Sequence, residues 1–219
     1  MYFTRMALNP ARRGTRFLQA SPQAMHAAVL SAFPPDVSTQ NTEGRVLWRL
    51  DRAKHETYLY VVSPETPDLT HLIEQAGWPT SSTSTWQTRD YTPMLRQITT
   101  GQHYAFRLVA NPVRQPREAE LGGKRVGHVT ATQQQGWLLE RAERSGFRIL
   151  DAGADSPAVV VSDREVKKFS RGKATVTLST ARFDGQLEVS DAGLLRKALA
   201  GGIGPAKGYG CGLMTLARV

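Results

Sequence analysis

Apolar and polar residues alternate in short stretches along the first half of the chain, a pattern typical of half-buried β-strands. The first stretch ends at Asn9-Pro10, where proline cannot continue a central strand and asparagine tolerates turn geometry. Ser21-Pro22 predicts a helix start, with an N-cap serine and a proline at the first helical position. The predicted order is strand 3–8, helix 22–33, strands 46–50 and 57–62, helix 67–76 and a Ser/Thr-rich loop 80–88, with no clear closing strand before about residue 104.

The second half repeats this order of elements. Another predicted strand ends at Asn111-Pro112, and both Asn-Pro strand ends lead into a predicted basic loop. The repeat indicates a duplicated unit, with a chance match of so short a motif as the alternative. The predicted elements are strand 104–110, helix 132–144, strands 147–150, 158–166 and 174–189, helix 191–200 and final strand 213–216. The pattern predicts an α+β protein of two tandem ferredoxin-like (RRM-like) domains, residues 1–95 and 96–219.

The net charge of the chain indicates which class of partner it is expected to bind. Lysine and arginine number 28 against 19 aspartate and glutamate, which gives a net charge of +9. Such a field attracts polyanions, above all nucleic acid, although a generic solvated basic surface has the same composition. No run approaches the ~18 apolar residues of a membrane span, and the N-terminus lacks the apolar core of a signal peptide. We expect a soluble cytoplasmic protein with no membrane partner.

The tail is rich in glycine, with six glycines among residues 201–213. Glycines let the backbone approach a ligand closely and turn its N–H groups outward, and Lys207 adds a positive charge. The sequence therefore predicts a phosphate-binding loop formed by Gly204, Lys207, Gly208 and Gly210. It is not a Walker loop, because Lys207 is followed by Gly208 instead of serine or threonine, so nucleotide hydrolysis is not expected. The lone Cys211 excludes an internal disulfide and fits a small apolar filler.

A second basic region surrounds Ser170-Arg171-Gly172, the predicted tip of a hairpin between two strands. A rigid basic ribbon can enter an RNA groove and contact phosphates on both strands of a stem, whereas the alternative is a merely solvated hairpin. The aromatic pattern that stacks bases on an RRM sheet does not occur, which favours recognition of hairpin shape and phosphates. The predicted hairpin contacts are Arg164, Lys167, Lys168, Arg171 and Lys173, and the same positive track could include Arg12, Arg13, Arg114, Arg117, Lys124 and Arg125.

Several short motifs occur together in one order along nearly the whole chain. They are Met25-His26, Leu47-Trp48-Arg49-Leu50, the paired Asn-Pro strand ends, Gly123-Lys124-Arg125-Val126 and the tail from Gly202 to Leu213. With these motifs the chain resembles the CasE family, the type I-E CRISPR endoribonucleases of the wider RAMP group of tandem ferredoxin-like proteins.

The resemblance implies cleavage of precursor CRISPR RNA at the base of a repeat hairpin, without a metal or another cofactor. It also implies that the mature crRNA stays bound and that the chain contacts other subunits of the type I-E surveillance complex. The catalytic histidine of the family falls on His26. A tyrosine that some members use falls on Gln23, and a lysine of some members falls near Ser31, so the second catalytic group stays open.

His26 fits this chemistry, because imidazole has an unperturbed pKa near 6.5 and populates both acid and base forms near neutral pH. Metal-free cleavage uses the RNA 2′-hydroxyl as nucleophile and needs a base, an acid and positive charge near the phosphate. Without the resemblance, a solvated histidine on a helix face is the favoured explanation of His26. The remaining histidines are scattered, and no His-x-x-x-His or acidic cluster indicates a metal site.

Two other functions remain open from the residues. A non-catalytic RAMP-like scaffold would keep the basic track and the glycine-rich loop but would not need His26, and the uncharged Gln23 and Ser31 support it. A small-molecule enzyme would need a pocket with convergent polar groups, and the sequence offers no acidic or nucleophilic constellation to build one. Incubation with a hairpin repeat RNA in EDTA, followed by mapping of product ends, separates the three functions.

Overall fold

The computed structural model describes residues 1–52, 56–78, 86–114, 126–153, 156–172 and 174–219. The chain forms two compact units. The first contains Met1–Gln97 together with Lys207–Gly210, and the second contains Ile98–Ala206 together with Cys211–Val219. The sequence placed the whole tail in its second domain, 96–219, so the assignment of Lys207–Gly210 to the first unit differs from that expectation.

A four-stranded antiparallel sheet forms the first unit, in the order β2-β3-β1-β4. In this sheet Met6 pairs with both Leu59 and Trp86, because β1 lies between β3 and β4. This is the strand order of a ferredoxin-like unit, as predicted. β4 is the closing strand that the sequence did not reveal, since its residues are mostly polar and none is fully buried. The strands are β1 (Tyr2–Leu8), β2 (Leu47–Arg52), β3 (Thr57–Ser63) and β4 (Trp86–Asp90).

Four described helices accompany this sheet: α1 (Arg13–Ala20), α2 (Pro22–Leu30), α3 (Thr70–Ala76) and α4 (Thr92–Arg96). The prediction of a basic loop after Asn9-Pro10 is wrong, because helix α1 begins at Arg13 and buries Leu18. Ser21 caps α2 as predicted, since its Oγ accepts a 3.2 Å hydrogen bond from the Ala24 N–H. The predicted extension of α2 to residue 33 is also wrong, because the helix ends at Leu30.

The core of the first unit lies between one face of the sheet and the helices. Met25 and Val29 of α2 are fully buried there, together with Met6 and Leu59 of the central strands and Leu72 of α3. Packing of Met25 and Val29 fixes the rotation of α2 about its axis. Neighbouring side chains on that helix therefore have defined directions.

The second unit has a sheet in the order β11-β5-β10-β8, with β9 also pairing along β10. This again is the ferredoxin-like order, with β9 as an addition. The strand predicted to end at residue 166 is longer, since β9 continues to Arg171 and stays paired with β10. The strands are β5 (His103–Ala110), β6 (Val113–Arg114), β7 (Val126–Gly127), β8 (Phe147–Ile149), β9 (Val159–Arg171), β10 (Ala174–Val189) and β11 (Met214–Arg218), where β6 and β7 form a separate pair.

Two α-helices occur among the described residues of the second unit, α5 (Ala131–Ala142) and α6 (Ala192–Gly201). A capping box of Thr130 and Gln133 starts α5, and the Asp191 carboxylate caps α6 by accepting from the Leu194 N–H. With 12 residues α5 is about 18 Å long, short of the ~30 Å hydrocarbon core of a bilayer. Within the described ranges no helix is long and apolar enough to cross a membrane.

Candidate active site

His26 lies on α2 between buried and exposed positions. The neighbouring Met25 and the later Val29 anchor the helix in the core, which directs the His26 ring to the edge of the apolar stripe. The ring's Nδ1 atom is buried. A Cβ atom placed on Gly208 would lie 3.2 Å from the His26 Nε2 atom. The imidazole therefore presents Nε2 to the backbone of the tail.

We call Lys207–Gly210 the glycine turn. Lys207–Tyr209 forms a single 3₁₀ turn, and the Tyr209 ring meets the His26 ring edge to face, with centroids 6.2 Å apart. Gly210 has a φ of 79°, and a Cβ there would lie 2.6 Å from the Trp48 ring of β2. Glycine at 210 is thus required both by the left-handed backbone and by the close approach of Trp48. The turn is held in place against His26 and Trp48 within the first unit.

Lys207 of this turn is half-buried. Burial is the main cause that lowers the pKa of Lys207, and the positive charge of Arg45 lowers it further. Arg45 lies two residues before β2, and its Nε atom is buried without a hydrogen-bond partner among the described residues. Sequence reasoning found Lys207 but missed Arg45. Nothing in the sequence distinguishes Arg45 from other arginines, because its environment depends on the return of the tail to the first unit.

Gln23 and Ser31 occupy the positions where a second catalytic group was sought. Gln23 lies one helical turn before His26, and its Oε1 atom is buried and accepts no hydrogen bond within the described part of the chain. Ser31 is exposed at the end of α2, where its Oγ donates a 2.9 Å hydrogen bond to the Ala27 carbonyl oxygen. An amide does not exchange protons near neutral pH, and the Ser31 hydroxyl serves to end the helix.

The basic hairpin is formed by β9 and β10 in the second unit. Its strands contain 13 and 16 residues, so the ribbon extends over about 40 Å. Lys168 and Arg171 are exposed near the tip, which Gly172 turns with a φ of 58°. Lys167 instead pairs with Glu165 at 2.9 Å, and the Arg164 guanidinium donates a 2.6 Å hydrogen bond to the Val129 carbonyl oxygen. The expected basic character is therefore concentrated at the tip.

Other predicted contacts are distributed over both units. Arg12 donates to the Ile73 and Gly77 carbonyl oxygens at 3.3 and 3.4 Å, which gives it a structural role, whereas Arg13 is exposed on α1. Arg114 is exposed on β6 of the second unit. Gly204 also belongs to the second unit, where a Cβ would lie 2.8 Å from the Trp137 ring, so it is explained by packing. Arg117, Lys124, Arg125 and Lys173 lie outside the described residues.

Histidines and acids do not gather elsewhere in the described ranges, where no group of three or more His, Cys, Asp and Glu could hold a metal ion. His71 Nε2 lies 2.9 Å from the Ala28 carbonyl oxygen, and His103 lies 3.4 Å from the Glu188 carboxylate. Burial raises the pKa of Cys211 to about 12, so its thiol stays protonated at neutral pH. His26 is the histidine that the structure brings to the glycine turn.

Comparison with known proteins gives a consistent family. The model of the family described as CRISPR associated protein matches residues 1–218. The CRISPR-associated endoribonuclease Cse3 of Thermus thermophilus is 30% identical over 99% of this chain and 100% of that protein. The Cascade subunit CasE of Escherichia coli K12 is 28% identical over 78% of this chain and 88% of the subunit.

A solved structure extends this likeness to the fold. Thermus thermophilus Cse3, bound to an RNA representing a pre-cleavage complex, superimposes with a TM-score of 0.78 at 29% identity. The match covers 99% of this chain and 98% of that one. The expected tandem ferredoxin-like fold is confirmed by this match and by the strand orders of the four-stranded and five-stranded sheets. The chain belongs to the CRISPR associated protein family, in the group that contains CasE and Cse3.

Proposed function

We propose that this chain is an endoribonuclease that binds the hairpin of a CRISPR repeat and cleaves precursor CRISPR RNA. The observation that carries the proposal is the contact of the His26 imidazole, a proton-transfer group, with the glycine turn that contains Lys207. Support comes from the full-length match to a CRISPR-associated endoribonuclease and from the RNA held by that relative in its solved structure.

The reaction that suits these residues is attack of the RNA 2′-oxygen on the adjacent phosphorus. The new 2′-O–P bond forms while the P–O5′ bond breaks, which leaves a 2′,3′-cyclic phosphate and a 5′-hydroxyl. One proton leaves the 2′-hydroxyl and one arrives at the 5′-oxygen, so the step needs a base and an acid. His26 performs one of these transfers through Nε2, since Nδ1 is buried. Gln23 and Ser31 do not supply the group for the other transfer, because the first is an amide and the Ser31 hydroxyl bonds the Ala27 carbonyl oxygen.

Affinity for the stem is assigned to exposed cations outside the reacting centre. Lys168 and Arg171 at the tip of the basic hairpin contact phosphates across a groove, and Arg13 on α1 adds a contact. These contacts are made equally before and after cleavage, so they hold the product as firmly as the substrate. Because one relative is named as a Cascade subunit, we infer that this chain also retains the mature crRNA and assembles with other subunits of a type I-E complex.

A non-catalytic RNA-binding scaffold is the second candidate. It is favoured by the positions next to His26, where Gln23 is an amide and the Ser31 hydroxyl is used to cap α2. In that function the glycine turn would bind RNA without bond cleavage.

One experiment separates the two functions. The purified chain is incubated in EDTA with a repeat hairpin RNA, and in parallel with the same RNA carrying hydrogen instead of the 2′-hydroxyl at the cut site. We expect cleavage of the first RNA to a cyclic phosphate and a 5′-hydroxyl, and binding without cleavage of the second. Normal cleavage of the deoxy RNA, or activity only after Mg²⁺ is restored, would make water the nucleophile and overturn the proposed chemistry. Binding without any cleavage would establish the scaffold.

A further inference from the structure

We propose that Arg45 and Lys207 jointly bind the scissile phosphate beside His26, where they contact its non-bridging oxygens and stabilise the charge that develops during cleavage. This inference rests on the proposed endoribonuclease function and names the groups that would stabilise its transition state. Arg45 and Lys207 both belong to the first unit. There Gly210 of the glycine turn packs against the ring of Trp48, three residues after Arg45, so the turn lies beside the segment that contains Arg45.

The backbone holds Arg45 in a fixed position two residues before β2. Arg45 forms an isolated bridge with Gln40, and the next residue, Val46, donates its N–H to the Thr39 carbonyl oxygen at 2.8 Å. The guanidinium Nε is buried without a hydrogen-bond partner in the described ranges. A buried donor that lacks an acceptor carries a free-energy cost of about 1–3 kcal/mol, more when it is charged. An oxygen-rich ligand would remove that cost.

Arg49, in β2, gives the contrast. Arg49 is 2% exposed, and its Nε and Nη2 atoms donate to the two oxygens of Asp51 at 2.7 and 3.0 Å. That buried arginine has an internal carboxylate. Arg45, four residues earlier, has no carboxylate partner among the described residues. The charge of Arg49 is thus neutralised by a carboxylate of its own chain, whereas the charge of Arg45 is available for a ligand.

Lys207 adds a second positive charge to that of Arg45. No described acid forms an ion pair with Lys207, and both its burial and the charge of Arg45 act against its protonated form. Two cations held together in a half-buried site repel each other, and an anion between them reverses that repulsion. The chemical class that fits is therefore a phosphodiester or another oxyanion.

The position of the pair relative to His26 connects it with the reaction. Lys207 is bonded to Gly208, which lies against the His26 Nε2 atom. An RNA whose 2′- or 5′-oxygen exchanges a proton with Nε2 therefore has its scissile phosphate near Lys207. As the 2′-oxygen attacks and the 5′-oxygen leaves, negative charge accumulates on the two non-bridging oxygens. Fixed cations at those oxygens lower the barrier more than they strengthen ground-state binding.

The test compares Arg45→Gln and Lys207→Gln with wild type in single-turnover cleavage at saturating hairpin RNA. We expect each variant to lose about 10²- to 10³-fold in rate, the usual effect of removing one charge-stabilising donor. Affinity for the uncleavable 2′-deoxy RNA should change less than about tenfold. The double variant should lose less than the product of the single losses, because both residues act on one phosphate. Arg96→Gln, an exposed arginine on α4, serves as the matched control and should cleave normally.

Conservative variants separate a role at the phosphate from a structural role. Arg45→Lys and Lys207→Arg preserve the charge, and each is assayed on normal RNA and on RNA with sulfur at one non-bridging oxygen of the cut site. We expect the oxygen-to-sulfur rate ratio to differ from wild type in at least one variant. Unchanged ratios in both, or wild-type rates in both glutamine variants, would overturn the inference while leaving the endoribonuclease function intact. If wild type cleaves no RNA, the function itself fails and the inference falls with it.

Discussion

The glycine turn and the basic hairpin are both positively charged, yet they differ in almost every physical respect. The turn is short, half-buried and packed against Trp48 and His26 within the first unit. The hairpin is long, and its tip residues Lys168 and Arg171 are exposed in the second unit. A buried cation has a fixed position and is weakly screened by salt, whereas an exposed cation is mobile and strongly screened. Net charge alone therefore does not tell which lysines affect rate and which affect affinity.

The replacement His26→Ala should have the largest effect in the first unit. We expect the cleavage rate to fall by about 10²- to 10⁴-fold, because one proton transfer loses its group. Hairpin binding should stay within a few-fold of wild type, as measured by filter binding with the 2′-deoxy RNA. A loss of affinity equal to the loss of rate would mean that α2 docks the RNA and would erase the distinction between the two regions.

Neutralising the exposed hairpin should have the opposite profile. In a variant with Lys167→Gln, Lys168→Gln and Arg171→Gln, we expect weaker binding of stems of any sequence. The slope of log affinity against log salt should fall by about 0.7 to 0.9 for each phosphate that the variant no longer neutralises. The rate at saturating RNA should stay close to wild type, and unpaired RNA should be affected less. A slope identical to that of wild type would show that these side chains point into solvent in the complex.

The replacement Gly210→Ala tests whether the packing of the glycine turn against Trp48 contributes to the stability of the protein. The added Cβ would lie 2.6 Å from the Trp48 ring, and alanine would also have to adopt the left-handed φ of 79° at this position. We therefore expect a loss of about 1–3 kcal/mol in the free energy of unfolding. Gly101→Ala is the matched control, because Gly101 has a φ of 86° but no atom within 4 Å of its Cβ position. Denaturant unfolding should show a smaller loss for Gly101→Ala. Equal losses would mean that the contact with Trp48 adds nothing.

The sequence predicted the repeated ferredoxin-like order because buried strands and helix caps leave local signals, as at Ser21 and Asp191. It missed β4, whose polar residues have no apolar alternation, and α1, where Arg13 and its neighbours suggested a loop. His26 was found only through a resemblance to a family. Arg45 was not found at all, because its environment depends on a contact between residues that are far apart in sequence. Local patterns thus predict elements, whereas the partners of a charged group depend on tertiary structure.

The assignment of Lys207–Gly210 to the first unit has a consequence for synthesis of the protein. During translation, His26 and the strands that support it are synthesised early. The glycine turn is synthesised only after nearly all of the second unit. A nascent chain therefore lacks the turn that packs against His26 until the tail is translated. The same assignment means that the gene cannot be divided between its two halves without separating His26 from its turn.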